Sequence, residues 1–352
     1  YMLVTCKSTI IIATMKNGIL LLTIVSAILL SCNTKEIEYE APQFPINKKV
    51  EVKVLNDEYI FRYAHQPYIY DSLLIVADMN EENAVCIFNR YTGNLIAAFG
   101  NKGNGPEELV QPTSFSVNHS RGMLYIQDYG KQTIASYNID NKNGELFTRD
   151  NVALVQGLKD KPNIYCLKDS FFIARNVDEG LILATPNRIC QKVKVDTPDG
   201  SVFKSSKDWA IYMYANGVQN VSSDGKSYVA ASTIGGILEL FELEDNALRH
   251  SFTKHYFKPI FSGVGYQPTP ETIYGFCHLS VTEKYIYATV HGKANPTSMP
   301  TSIWQFDKKG NPVALFEVGY PIENFVVADN DAIAYATAYG DSGEQVIIEI
   351  KI

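Results

Sequence analysis

Short runs of apolar and β-branched residues recur along the chain from about residue 48 to the C-terminus, separated by turns rich in Gly, Asn, Asp and Pro. A clear example is Leu73–Asp78, followed by residues 84–89, the turn Thr92-Gly93 and Leu95–Phe99. Such runs predict β-strands rather than helices. Because no stretch has the apolar periodicity of a convincing amphipathic helix, the pattern predicts an all-β chain.

This three-strand unit repeats six times. Equivalent positions in its first strand are spaced by 50, 48, 57, 57 and 47 residues: Leu74, Leu124, Phe172, Val229, Ile286 and Ile333. A period near fifty residues is typical of the blades of a propeller. A further, innermost strand fits in front of each unit, at residues 67–71, 112–118, 162–168, 218–223, 275–282 and 323–328.

The sixth unit lacks an outermost strand, whereas residues 48–54 alternate like a strand and belong to no unit. The simplest solution is that this N-terminal strand completes the last blade, which closes the ring and protects its edges. We therefore predict a six-bladed β-propeller over residues 48–352, with the last blade closed by the N-terminal strand. The alternative is a sandwich or an irregular β-fold.

The N-terminal region has the pattern of an export signal. Lys16 precedes a short apolar run at residues 18–30, and Leu29-Leu30-Ser31-Cys32 resembles a lipobox. We predict an upstream segment and lipoprotein signal peptide at residues 1–31, lipidation of Cys32, and a tether at residues 32–47. This places the protein in the cell envelope, anchored to the outer membrane by lipid. An ordinary signal peptide with a chance cysteine is the alternative.

Composition adds two limits. The chain has 352 residues and a net charge of −7, without a basic block, which argues against nucleic acid as a partner. Four cysteines follow Cys32, and none forms a C-x-x-C pair, so neither a zinc site nor a redox motif is indicated. Cys86 is predicted to be a core residue. If export allows a disulfide, the expected pair is Cys166 and Cys190.

One segment carries a family resemblance. Residues 99–109 read FGNKGNGPEEL and are followed by Gln111-Pro112, and a Leu-Tyr-Ile-x-Asp element runs from Leu124 to Asp128. These motifs resemble those of the TolB-like six-bladed propeller lipoproteins, which are related in form to NHL-repeat propellers. The resemblance implies a fold and an envelope location but no activity. Because its glycines lack the Gly-Lys-Ser/Thr ending of a phosphate loop, the segment is interpreted as a tight connection between blades.

In the predicted strand order, the loops that enter inner strands and the loops that follow middle strands share one face. A polar ligand is expected to bind at the channel mouth on that face. The candidate ligand-binding residues are His65, Gln66, Asp78, Gln111, Asp128, Tyr129, Asn163, His291, Asn324 and Tyr339. The opposite face is expected to offer little chemistry, since it consists of short turns such as Thr92-Gly93, Asn143-Gly144 and Lys309-Gly310.

The predicted function is non-catalytic binding of a protein, peptide or glycan, with no cofactor, metal or catalytic residue. One alternative is a calcium-dependent lactonase-like hydrolase or a lyase in the channel, with oxygen ligands drawn from Asp78, Asp128, Asn163 and Asn324. The other is a structural subunit of an envelope complex.

Overall fold

The six sheets of the computed structural model are the six predicted blades. The structure describes residues 37–352 except 63, 79–81, 141–145, 155, 169–170, 177–178, 195–216 and 262–267. Cys32, the signal segment and the turn Asn143-Gly144 therefore lie outside the described residues. In the described part, no helix has the length and apolar character needed to span a membrane.

Two short N-terminal strands, β1 (Ile46–Lys49) and β2 (Glu51–Asn56), precede the blades. Blade one contains β3 (Ala64–Tyr70), β4 (Leu73–Asp78), β5 (Val85–Asn89) and β6 (Leu95–Phe99). Blade two contains β7 (Pro112–Asn118), β8 (Met123–Asp128), β9 (Thr133–Asn138) and β10 (Arg149–Ala153). Blade three contains β11 (Ile164–Cys166), β12 (Phe172–Asn176), β13 (Gly180–Thr185) and β14 (Arg188–Val193).

Blade four contains β15 (Val218–Val221), β16 (Ser227–Ala231), β17 (Gly236–Glu244) and β18 (Ala247–Phe257). Blade five contains β19 (Ile273–Val281), β20 (Tyr285–Ala294), β21 (Ser302–Asp307) and β22 (Pro312–Glu317). Blade six contains β23 (Ile322–Val327), β24 (Ile333–Tyr339) and β25 (Gln345–Lys351). Consecutive strands of a blade pair antiparallel, and the first strand of each blade contacts the first strand of the next around the ring.

The N-terminal strand closes the ring, as the sequence predicts. Strand β2 pairs antiparallel with β25, so that Val52 lies opposite Ile350 and Val54 opposite Ile348. The single predicted strand at residues 48–54 is nevertheless two strands, because β1 instead pairs parallel with β22 of blade five. The chain passes between the two blades at Val50, whose side chain is buried and whose N–H donates to the carbonyl of Glu317 at 3.1 Å.

The hydrophobic core lies between the blades. One apolar cluster separates each neighbouring pair, so there are six clusters among the described residues. Large aromatic side chains such as Tyr228, Tyr287 and Phe306 are fully buried in these layers. Burial of each side chain of this size contributes about 1.5–3 kcal/mol to stability. The interblade layers are therefore the main source of stability. The axis of the ring is left open.

The predicted connection at residues 99–109 is a tight loop. The N–H of Leu109 donates to the carbonyl of Asn101 at 2.8 Å, and the N–H of Gly103 donates back to the carbonyl of Leu109 at 2.9 Å. A Cβ on Gly103 would lie 2.0 Å from a carboxylate oxygen of Glu108, so a larger residue would displace that side chain. The ammonium of Lys131 donates to the carbonyls of Gly105 and Glu108 at 2.6 and 2.7 Å. The loop therefore joins blades one and two, as interpreted from the sequence.

The expected disulfide is wrong. All four described cysteines are free thiols. Cys166 lies in β11 and Cys190 in β14, the first and fourth strands of one blade, so roughly 14 Å of sheet separates them at about 4.8 Å per strand. A disulfide needs Cα atoms within about 7 Å. Cys86 is fully buried, as predicted, and burial raises the pKa of its thiol to about 11.

Candidate functional site

A cavity of about 230 Å³ opens at the channel mouth where the inner strands begin. Three of the predicted ligand-binding residues, Gln66, Asn163 and Asn324, line it together. They come from blades one, three and six, which the sequence separates by about a hundred residues or more. The fold therefore brings these three amide side chains to one site, on the face that the sequence predicted.

The side chains that line this cavity carry amides, hydroxyls, rings and one imidazole. The lining residues are Gln66, Tyr68, Thr113, Ser114, Phe115, Asn163, Tyr165, Gly217, Val218, Gln219, His278, Leu279 and Asn324. None of these residues is an Asp, Glu, Lys or Arg. The described lining therefore offers hydrogen bonds and apolar ring surface without a carboxylate, an ammonium or a guanidinium.

Hydrogen bonds between blades hold this lining in place. The side-chain amide of Asn324 donates to the carbonyl of Ala64 at 2.9 Å, and the hydroxyl of Ser114 donates to the carbonyl of Ile164 at 2.7 Å. The amide of Gln66 donates to the carbonyl of Leu279 at 2.9 Å, which links blade one to blade five past the inner strand of blade six. A ligand therefore meets groups whose positions are already fixed.

Some hydrogen-bonding capacity remains unused. Within the part of the chain that the structure describes, the amide oxygens of Gln66 and Asn324 accept no hydrogen bond. The hydroxyl of Thr113 is buried and also has no partner among the described residues. These oxygens can accept hydrogen bonds from a ligand that carries hydroxyl groups.

Tyr68 marks the inner end of this cavity. It also lines a second cavity, of about 250 Å³, at the other end of the channel. Its hydroxyl donates to the carbonyl of Phe115, and burial raises the pKa of Tyr68 well above its usual value. Since the hydroxyl is both committed and hard to ionise, Tyr68 contributes ring surface rather than acid–base chemistry.

Two predicted site residues have their carboxylates turned to the backbone. Asp128 is fully buried and accepts the N–H groups of Val110 and Gln111, both at 3.0 Å. Asp78, also fully buried, accepts the N–H of Arg62 at 3.1 Å. Both occupy the last position of a blade's second strand, where they anchor the segment arriving from the preceding blade. Neither lines the channel cavity.

Four further candidates, Gln111, Tyr129, His291 and Tyr339, do not line the cavity. Gln111 and Tyr129 bond to each other through their backbones at 2.8 Å. His291 lies in β20, where burial and the nearby Lys293 lower its pKa. Tyr339 donates its hydroxyl to Glu323 at 3.2 Å. His65 lies in β3, and its side chain is outside the described set.

Sequence reasoning missed several lining residues within the inner strands. Thr113, Ser114, Tyr165, Gln219 and His278 all fall inside the ranges predicted for inner strands, but the candidates were taken from loops and strand ends. The usable signal was the run of polar residues in strands that should otherwise be apolar. Such residues are buried only where hydrogen bonds or a cavity satisfy them.

The calcium alternative gains no support from the described residues. Among them, no three His, Cys, Asp or Glu side chains are close enough to hold a metal ion. Of the four proposed oxygen donors, Asp78 and Asp128 bind backbone N–H groups, while Asn163 and Asn324 line the channel. A calcium site needs six to eight converging oxygens, usually with carboxylates among them.

Comparison with known proteins agrees with the architecture. The family model of TolB-like 6-blade propeller-like proteins matches residues 43–330. The chain belongs to this TolB-like family. Its members share the ring of six sheets described above, and the match begins just before β1 and extends into blade six.

Solved structures resemble this TolB-like chain in fold at low sequence identity. A Bacteroides fragilis protein described as an exported protein is 11% identical, with a TM-score of 0.60 over 89% of this chain and 98% of that chain. A gluconolactonase from Xanthomonas campestris is 11% identical, with a TM-score of 0.50 over 86% of this chain and 89% of that chain. A search of curated proteins gave no match. At this level of identity, the likeness concerns the fold alone.

Proposed function

We propose that this protein is a lipid-anchored propeller of the cell envelope that binds a glycan, without catalysis, at the channel mouth where the inner strands begin. The uncharged lining of the 230 Å³ cavity is the observation that carries this proposal. A charged ligand would lose its hydration there and find no opposite charge. A sugar loses only hydroxyl hydration, which amides and hydroxyls replace.

The ring surfaces in the cavity support the same ligand class. Tyr68, Phe115 and Tyr165 line the cavity beside the amides of Gln66 and Asn163. Sugars combine apolar C–H faces with hydroxyl edges, so a site for them needs both kinds of group in fixed positions. A peptide would also find hydrogen bonds here, and the experiment below separates the two ligand classes.

Binding rather than catalysis is favoured by the scarcity of acid–base groups. The described part of the lining contains one histidine, His278, and two tyrosines, and burial raises the pKa of both tyrosines. General acid–base catalysis needs a group that titrates near the working pH, with a second group to orient or assist it. The described lining residues include no carboxylate that could orient or assist such a group.

The envelope location rests on two observations. The Leu29-Leu30-Ser31-Cys32 sequence follows a short apolar run and supplies the acceptor cysteine for a lipid. The Bacteroides fragilis relative in fold is described as an exported protein. A lipid on Cys32 would hold the propeller at the outer membrane, where glycans are abundant ligands.

The test is a glycan array followed by calorimetric titration of the strongest neutral oligosaccharide. Asn163→Gly removes one lining amide and suits the backbone, because Asn163 has a φ of 55°. We expect affinity to fall about fivefold, the loss of roughly one hydrogen bond. Asn295→Gly is the matched control, since Asn295 is exposed, has a φ of 46° and does not line the cavity.

Three results would contradict the proposal. One is binding of anionic glycans only, and another is equal affinity in the Asn163→Gly and Asn295→Gly proteins. The third is binding of an extended peptide, with no neutral saccharide bound, which would assign the site to a protein ligand.

A further inference from the structure

The second channel cavity, of about 250 Å³, opens on the face that the sequence analysis expected to be poor in chemistry. It lies where the inner strands end and where the turns to the second strands begin. The glycan proposal does not involve this cavity because, unlike the first, it is lined by charged residues. Asp71, Arg90, His119 and Asp329 all contribute to it.

More of the wall of this cavity is apolar than polar. Ile69, Val117, Val221, Val281 and Val327, at or near the ends of five inner strands, line it. These residues come from five of the six blades, so the cavity is bordered by apolar residues on most sides of the axis. We call these five residues the apolar sleeve.

The polar groups within the wall are already engaged by the protein. The side-chain amide of Asn220 donates to the carbonyl of Leu279 at 2.6 Å. The hydroxyl of Ser280 accepts the N–H of Val327 at 2.9 Å, and that of Ser222 donates to Asp224 at 2.5 Å. The wall therefore offers a ligand mainly apolar contact, which favours a methylene chain or a similar apolar body.

Two carboxylates stand at the rim of the sleeve. Asp71 and Asp329 are exposed, and neither has a hydrogen bond or an ion pair with the described residues. Asp71 comes directly after the inner strand of blade one, and Asp329 comes two residues after the end of that of blade six; the two blades are neighbours in the ring. The two carboxylates place negative charge at the mouth of an apolar cavity.

The two basic residues of the lining offset this charge only in part, because Arg90 supplies one positive charge against the two carboxylates. The guanidinium of Arg90 lies over the ring of Tyr91, 4.9 Å from its centroid, and donates to the Tyr91 hydroxyl at 2.8 Å. Its Nε is buried and so is closed to a ligand. Burial lowers the pKa of His119 against the opposing effect of Asp329, which disfavours the charged form of the imidazole.

We propose that this second cavity binds an aliphatic ammonium group, with the methylene chain in the sleeve and the ammonium at the rim formed by Asp71 and Asp329. A cation with a short apolar stem matches both parts of the cavity, as a lysine side chain covers apolar surface while its charge stays in water. The ligand can be a lysine side chain of a partner protein or a free polyamine, since both present the same chemistry.

The test is a titration of the purified protein with pentylammonium, followed by saturation-transfer NMR, with pentan-1-ol and pentanoate as probes of similar length. We expect saturable binding of pentylammonium only, which weakens as salt screens the exposed carboxylates. The Asp71→Asn/Asp329→Asn protein should bind it about fivefold more weakly. Asp341→Asn, an exposed site on another turn, is the matched control and should bind it as the wild type does.

Equal binding of pentan-1-ol, or unchanged affinity in the double variant, would overturn the proposal, as would no saturable binding of pentylammonium. A lysine amide blocked at its α-amine and free cadaverine then separate the two sources. Tighter binding of the blocked lysine assigns the site to a protein side chain, and tighter binding of cadaverine assigns it to a polyamine. Because Asn163→Gly should leave pentylammonium binding intact, this result is independent of the glycan test.

Discussion

Buried carboxylates on one face of the ring differ in how well the protein satisfies them. Asp128 accepts three backbone N–H groups, from Val110, Gln111 and Lys131. Glu323 is only 9% exposed, and one of its oxygens accepts the hydroxyl of Tyr339 while the other has no partner among the described residues. Burial and the nearby Asp78 raise the pKa of Glu323, and the Tyr339 hydrogen bond only partly offsets them.

The raised pKa of Glu323 predicts that the stability of the protein depends on pH. Because its pKa is higher in the folded protein than in the unfolded chain, the folded protein binds the proton more tightly, and stability falls as pH rises between these two pKa values. Glu323→Gln removes the buried charge and should raise the free energy of unfolding at about pH 8 more than at about pH 4. Urea unfolding at both pH values measures this.

Glu58→Gln is the control for that experiment, since Glu58 is exposed and its side chain has no described partner. It should leave the pH dependence of stability unchanged. A Glu323→Gln protein that is no more stable than the wild type at about pH 8 would contradict the assignment of a buried, poorly satisfied charge.

The sequence predicted the face of these residues but not the direction of their side chains. Asp78 and Asp128 end second strands on the expected face, yet each carboxylate turns toward the arriving segment because its N–H groups need acceptors. Gln219 and His278 were not among the candidates, yet both line the cavity. Successive side chains of an inner strand point to opposite faces of the sheet. Which neighbours each side chain meets there depends on the adjacent blades.

At the scale of elements, the two N-terminal strands differ in what they protect. Strand β1 adds a fifth strand to blade five, next to Phe44, whose ring packs on Trp304 at 5.1 Å. Strand β2 is the fourth strand of blade six and brings Val52 onto the core between blades five and six. Loss of β2 would leave blade six with three strands and the edge of β25 open.

We therefore expect truncations to separate the two strands. A chain that begins at Val50 lacks β1, and a chain that begins at Asp57 lacks β1 and β2. The second should melt at least about 5 °C below the first and aggregate on heating, because it loses packing as well as a paired edge. Differential scanning calorimetry measures this, with a chain that begins at Ile46 as the control. Equal melting temperatures for the first two would show that β2 does not stabilise the ring.

The repeat was predictable because its apolar strands recur at a nearly constant spacing. The first and last residues of individual strands were less predictable. The inner strand of blade one is Ala64–Tyr70, against a predicted 67–71, and that of blade three is Ile164–Cys166, against 162–168. Inner strands mix polar and apolar residues, so their ends are weakly marked in the sequence. The break between β1 and β2 was not visible because residues 48–54 alternate without interruption.

For the whole molecule, the proposed anchor predicts where the protein is found. Cys32→Ser removes the acceptor of the lipid and should move the protein from the detergent phase to the aqueous phase in a Triton X-114 partition of cells that express it. Cys277→Ser is the matched control, because Cys277 is a half-buried free thiol of blade five and should not change partitioning. A Cys32→Ser protein that stays in the detergent phase would refute lipidation at this residue.

Closure of blade six by β2 also fixes an order of assembly. Glu51 and Lys351 form an ion pair although 300 positions separate them, whereas consecutive strands within each blade are joined by short hairpins. If the protein is exported as proposed, its chain crosses the membrane from the N-terminus and delivers β2 first and its partner β25 last. The hairpins can pair while export continues, but the longest loop of the molecule closes only after the last strand has crossed. Until then β2 remains an unpaired edge, so the interval between the arrival of β2 and that of β25 is when the protein most needs protection from aggregation.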